Sequence, residues 1–353
     1  MYDPYTVDSA QDPEIVQPLP RLKRISWSND WHETELLKFQ LMLPEFMQLF
    51  KSDPRAPHPD TPIIDLAYFR DQLEKPKIEI LVQASVMQHE CALRDFYLMW
   101  SELAGDEILQ MREVDGAPDH PDIRSRRSFP DGQTWVTRQT GYKVWMGFSA
   151  FVVTLNIGCE ESLYEEHAEL FDEIVSSFGP TVPPEHSLAE STRLWSKRYP
   201  FDFASYLPVS WKELHHHNDT LDQMRLAFTR SFRDVTASCL AVQAVTRDIH
   251  PEKTDFLNEV FSTWTEQGLN PAEITYQSGP LLGNHKTREG VAKFTYHGAA
   301  GSTDYEYRFL LAEPENCWFI VELVCFHKDQ DFETWAIANR ALAVFAENFR
   351  CCE

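Results

Sequence analysis

Glycine is scarce, with 13 residues in a chain of 353, and no short glycine-rich period occurs. Collagen-like and low-complexity classes are therefore excluded. Basic residues are few: 32 Lys and Arg stand against 55 Asp and Glu, a formal charge of −23. Phosphate binding needs clustered Lys and Arg, so nucleic acid is not an expected partner. Direct docking on anionic lipid is disfavoured for the same reason. The longest apolar run, Cys317 to Phe326, is interrupted by Glu322 and falls short of the ~18 residues a membrane span requires. The first residues carry acids at Asp3, Asp8, Asp12 and Glu14, not the basic start and apolar stretch of a secretory signal. The seven cysteines are scattered and form no CxxC pair, which reads as reduced thiols in a cytoplasmic chain. Cys351-Cys352-Glu353 does not meet the CaaX prenylation pattern. Zinc-protease, P-loop, nucleophile-elbow and dinucleotide signatures are missing. No enzyme activity, cofactor or metal is expected on this ground.

What is present is enough apolar residue, 43% with 13% aromatic, for one or two cores. It is also repeated. Phe39, Leu43 and Pro44 match Phe203, Leu207 and Pro208 as FxxxLP at an offset of 164 residues. Leu93, Phe96, Tyr97 and Trp100 stand against Leu257, Val260, Phe261 and Trp264 at the same offset. Near the ends, Phe171, Ile174 and Phe178 match Leu342, Phe345 and Phe349 at 171. Two motifs sharing one offset mark a duplication, and the small drift fits loop insertions. The expected division is an arm at 1–34, a first copy at 35–180, a linker at 181–197 containing Pro183-Pro184, and a second copy at 198–353.

The hydrophobic pattern predicts strands at 37–43, 63–69, 78–87, 108–114, 123–129, 135–140 and 143–157 in the first copy, with helices at 91–103 and 162–178. In the second it predicts strands at 201–207, 225–231, 240–246, 274–278, 281–287, 290–296, 305–311 and 317–326. Helices are expected at 255–266, capped by Thr254, and at 332–349. Each copy is then an α+β unit, an antiparallel sheet carrying two helices. Both alternating residue sets of 144–157 and of 317–326 are apolar, although a sheet with one wet face should alternate. The two helices are expected to cover one face, so the other is closed by the second copy's sheet or by a cross-connection, or is left as an apolar groove. The candidate partner-binding face is Trp145, Phe148, Phe151 and Val153 with Trp318, Phe319, Val321 and Leu323.

The second candidate surface is acidic. Glu161, Glu165, Glu166, Glu169, Asp172 and Glu173 lie on the helix that closes the first copy, and no base falls between 151 and 180. Acids beyond the first turn gain nothing from the helix dipole and repel each other. The bland meaning is a solvated face; the functional one is a docking face for a basic partner. His215-His216-His217 lacks the spacing of a metal site. Cys159, near His167, sits in acidic surroundings that raise a thiol pKa. Arg124, Arg126 and Arg127 are the only basic knot, read as strand-edge solubility or ion-pair partners rather than a phosphate site. Up to residue 180 there are 16 bases and 31 acids, and after it 16 and 24, so the acidity is uneven.

The element order, the FxxxLP entry strand, Trp211 three residues after Pro208, and the closing Ile174-Val175-Ser176-Ser177-Phe178 resemble the PsbP/DcrB-like superfamily, which includes the Mog1p-like fold. The first copy departs from the pattern, with Met47 at the Trp position and a Pro-rich insert at 52–62. The resemblance implies an α/β/α sandwich in each copy and a monomeric pseudo-dimer overall. Signal-free members include the Eag chaperones of type VI secretion, which grip apolar helices of effectors. It therefore implies a non-enzymatic chaperone or adaptor for an effector. The acidic surface suggests instead an immunity protein against a toxin, and a structural accessory subunit is the third reading.

Overall fold

The computed structural model describes residues 20–351 apart from 28–36, 51–62, 72, 74–76, 115–116, 147–148, 184–187, 199–200, 215–219, 221, 233–234 and 299–300. The first half contains β1 (Leu22–Trp27), β2 (Phe39–Pro44), β3 (Gln48–Leu49), β4 (Ile63–Arg70), β5 (Ile78–Met87), α1 (Leu93–Ala104), β6 (Glu107–Val114), β7 (Ala117–Ser128), β8 (Thr134–Met146), β9 (Ser149–Glu160), α2 (Tyr164–Ser177) and β10 (Gly179–Pro180). The second contains β11 (Thr192–Lys197), β12 (Phe203–Pro208), β13 (Lys212–Leu214), β14 (Gln223–Phe232), β15 (Val235–Thr246), α3 (Lys253–Thr265), β16 (Thr275–Ser278), β17 (Thr287–Gly298), β18 (Gly301–Ala312), β19 (Cys317–Phe326), α4 (Phe332–Glu347) and β20 (Arg350–Cys351). The large sheets run β3-β4-β5-β9-β8-β7-β6 and β13-β14-β15-β19-β18-β17-β16, and the small ones β1-β2-β10 and β11-β12-β20. Every pairing is antiparallel, and the second order is the first shifted by ten strands. The chain is an α+β protein made of two copies of one topology.

Register fixes which residues correspond. Val82 faces Leu155 and Ala84 faces Val153 in the first sheet; Val242 faces Val321 and Ala244 faces Phe319 in the second. Phe39 pairs with Pro180 as Phe203 pairs with Cys351, which keeps the closing-helix offset of 171. Met47 and Trp211 occupy the same buried place after the LP pair. α1 stops where Gly105 adopts φ 71, and the Asp106 N–H donates back to the Ser101 carbonyl at 2.8 Å. Asp331 caps α4 by accepting from the Thr334 N–H at 3.0 Å. α3 starts at Glu252 with no side-chain cap, so Thr254 does not serve.

The helices of a copy do not share a face. Val153, Leu155 and Ile157 pack with Phe171 and Ile174 of α2 and with the small sheet. Ala150 and Val152 point the other way and pack with Phe96 and Tyr97 of α1. α4 and α3 divide the second sheet in the same way. One helix on each face explains why both alternating sets are apolar. The segment 143–157 is not one strand: Val144 pairs with Phe151 and Trp145 with Ala150 across a tight hairpin. The turn shifts the alternation by one, so the sets read across it mixed two faces. Residues 281–286, expected as a strand, form a turn with an isolated Leu282–His285 bridge, and Thr287 opens β17. β1 and β11, which fall in the expected arm and linker, are the edge strands of the small sheets.

Candidate functional site

α4 is buried nearly all round, with Ala338, Leu342 and Phe345 facing its own sheet and Ala336 and Ile337 facing the first copy. Such a helix must be sandwiched. It lies on the α1 face of the first sheet, against Met87, Leu93, Phe96 and Val152. The copies therefore form their pseudo-dimer head to tail, through unlike surfaces. The contact is pinned by Glu90, 1% exposed, which accepts from Lys143 Nζ at 2.7 Å and from Arg340 Nε of α4 at 3.0 Å. The Ala189 N–H also donates to Glu90. Glu190 in turn accepts from the backbone N–H of Glu90 at 3.0 Å and of Ser210 at 3.1 Å. Burial raises the Glu190 carboxyl, but His89, the Glu90 N–H and the Ser210 hydroxyl bring it below its ordinary value.

This placement removes the expected open sheet face. Val153, Phe319, Val321 and Leu323 are at most 1% exposed under α2 and α4, and Trp318 is buried under α3. Trp145 and Phe151 are half-buried on opposite faces of the first sheet. Phe148 lies outside the described residues. The faces that the apolar pattern suggested as a groove are covered by α1, α2, α3 and α4 in turn, so these residues do not form one binding surface. A separate apolar cleft of about 230 Å³ remains beside α3, lined by Trp264, Phe294, Tyr296, Tyr305 and Val324. It fits one side chain, not a helix.

The acidic residues do share one surface. Glu161, Glu165, Glu166, Glu169, Asp172 and Glu173 are all exposed, Glu161 in the turn before α2 and the rest on the helix. Two are neutralised locally. Glu161 accepts from Arg126 Nη1 at 3.1 Å. Asp172 is held by Arg138 at 2.6 Å and by Arg112. Arg138 and Asp122, each 3% exposed, form the buried part of that network. Burial would raise the Asp172 carboxyl, but the two guanidinium groups hold it below its ordinary range. Glu165, Glu166, Glu169 and Glu173 have no ion-pair partner among the described residues.

The other candidates are structural. Arg126 and Arg127 pair with Glu107 and Asp106, and Arg124 lies over the Tyr164 ring. Cys159 is buried, and burial pushes its thiol up to about 12. His167 stacks on Phe171. The His215 to His217 run lies outside the described residues. Among the described residues no group of three metal-ligating side chains occurs, and no helix is long and apolar enough to cross a membrane.

No family model and no curated protein matches the sequence. Among solved structures, the chain is similar to cyanobacterial PsbP from Synechocystis sp. PCC 6803, at 14% identity and TM-score 0.30, covering 46% of this chain and 94% of that one. It is similar to a Bacteroides thetaiotaomicron protein at 9% identity and TM-score 0.27, over 46% of this chain and 50% of that one. It is also similar to the type VI secretion immunity protein TplEi of Pseudomonas aeruginosa, at 8% identity and TM-score 0.24, over 94% and 97% of the two chains.

Proposed function

We propose that the chain is a non-enzymatic protein-binding module, of the immunity or inhibitor type, that caps a basic partner with the outer face of α2. One observation carries this reading. At the offset of 171, Glu165, Glu166 and Glu169 stand where α4 has Ala336, Ile337 and Arg340, the residues that meet the first copy. The same helix position is an internal interface in one copy and an exposed, uncompensated acidic face in the other. Glu165, Glu169 and Glu173 are spaced four apart, which costs α2 a few tenths of a kcal/mol per pair, roughly 0.2–0.5. A basic partner removes that repulsion, and the net charge of −23 speeds its approach.

Gripping an apolar helix as a secretion chaperone is less well supported, because α4 occupies the surface such a client needs. Affinity capture with the wild-type chain and with a Glu165→Gln/Glu166→Gln/Glu169→Gln variant tests the proposal. A partner held by the wild type, released by salt and not held by the variant is expected. A partner bound equally by both and indifferent to salt overturns the assignment.

A further inference from the structure

A polar row crosses the first sheet beneath α1. Gln139 Nε2 donates to Asn156 Oδ1 at 2.7 Å, Asn156 Nδ2 to Gln83 Oε1 at 3.3 Å, and Gln83 Nε2 to Asp65 Oδ1 at 2.7 Å. The Asp65 carboxylate accepts only, so it fixes the orientation of every amide in the row. The far end must therefore present an acceptor. That end is Gln139 Oε1, which is buried and has no partner. Ser101 of α1, 3% exposed, also has a hydroxyl without a partner. Both line an open cleft of about 140 Å³ between α1 and the sheet, with Tyr97 and Trp100 as its aromatic wall.

The second copy closes the same position. Gln243 and Glu322 stand where Gln83 and Asn156 do. There Trp264 Nε1 and Tyr307 Oη donate to Glu322 at 2.9 and 2.8 Å. In the first copy Trp100, the counterpart of Trp264, has no hydrogen-bond partner among the described residues. The first row is thus left open where the second is satisfied from within.

We propose that the cleft under α1 binds a small neutral polyhydroxylated ligand about the size of one sugar ring. Leaving a buried acceptor and hydroxyl unmet is unfavourable, and hydroxyl groups of a ligand supply both a donor and an acceptor. Trp100 offers a flat apolar surface for a ring face. A cation is disfavoured, because the rim carboxylate Asp106 is already held bidentately by Arg127 at 2.5 and 2.9 Å. The site is separate from α2 and does not depend on its role.

The test titrates the full chain with glucose, galactose, mannose and N-acetylglucosamine, each to about 50 mM, which saturates a site of millimolar Kd. Tryptophan fluorescence and ligand-observed NMR report binding. At least one sugar is expected to bind saturably. Gln139→Leu should weaken it about tenfold, the worth of one hydrogen bond to a buried acceptor. Ser101→Ala, which removes a single oxygen, carries the test if Gln139→Leu does not fold. Glu169→Gln should leave binding unchanged. No saturable signal from any of the four sugars, or binding indifferent to both cleft variants, overturns the proposal. So does a crystal structure at saturating sugar with ordered water only in the cleft.

Discussion

α2 and α4 occupy the same place in the same topology, yet one faces solvent and the other faces a second sheet. Their inward residues are alike: Phe171 and Ile174 in one, Leu342 and Phe345 in the other. Their outward residues are opposite in character. The contrast shows how one helix position serves as a packed junction in one copy and as a solvated acidic face in the other. A head-to-tail contact leaves complementary surfaces at both ends and can propagate. Here α2 presents acids at one end. At the other, on the α3 side of the second sheet, Arg247 lies 4.1 Å over the Trp318 ring and Lys253 pairs with Glu313 at 2.6 Å, so charged side chains stand there.

The junction is the place where this contrast is most easily broken. Glu90→Ala leaves Lys143 and Arg340 without their buried counter-ion. A loss of about 3–5 kcal/mol in denaturant unfolding is expected. A loss under about 1 kcal/mol would show that the pair is solvated. Arg340→Glu gives α4 the charge that α2 carries and sets it against Glu90. A similar or slightly smaller loss is expected, with hydrogen exchange rising first in α1 and α4. The mirror substitution Glu169→Arg, on the exposed helix, should stay within about 0.5 kcal/mol. Equal effects of the two would mean that α4 is not a seated interface. Next in size is Tyr307→Phe, which removes one donor from a fully buried carboxylate and should cost about 1–3 kcal/mol.

Local patterns made much of this visible in the sequence. The FxxxLP strands, the Trp100 and Trp264 helices and the closing helices are short-range signals, and they give the duplication directly. What escaped were relations between segments. Alternation across 143–157 reads smoothly because Val144 and Phe151 are both apolar, although they belong to different strands. β1 and β11 have mixed faces and are strands only because β2 and β12 pair with them. The acidic run was legible as composition, but its meaning required knowing that Arg340 fills the equivalent place in α4. The unusually apolar Ala336-Ile337-Ala338 stretch was the available signal. The amide row under α1 had none, since Asp65, Gln83, Gln139 and Asn156 come from four strands.

The finest test concerns the two rows beneath α1 and α3. Glu322 is 1% exposed, and burial raises its carboxyl above the ordinary value near 4.5, against the opposing pull of Tyr307, Gln243 and Trp264. The folded state then holds this proton more tightly than the unfolded chain. The contribution of the protonated group is complete below about pH 4.5 and is lost as pH rises through the raised folded value. Asn156 occupies the equivalent position in the first copy, so that copy is already neutral at this position. Glu322→Gln makes the second copy match it. Its amide oxygen can accept from Tyr307 and Trp264, and Gln243 can turn its own oxygen toward the new amide nitrogen. The variant should therefore gain stability relative to the wild type as pH rises from about 4 to about 8. Parallel stability curves over that range would mean that Glu322 titrates as an ordinary carboxylate. In that case the second row would carry a buried negative charge at neutral pH where the first has the neutral Asn156.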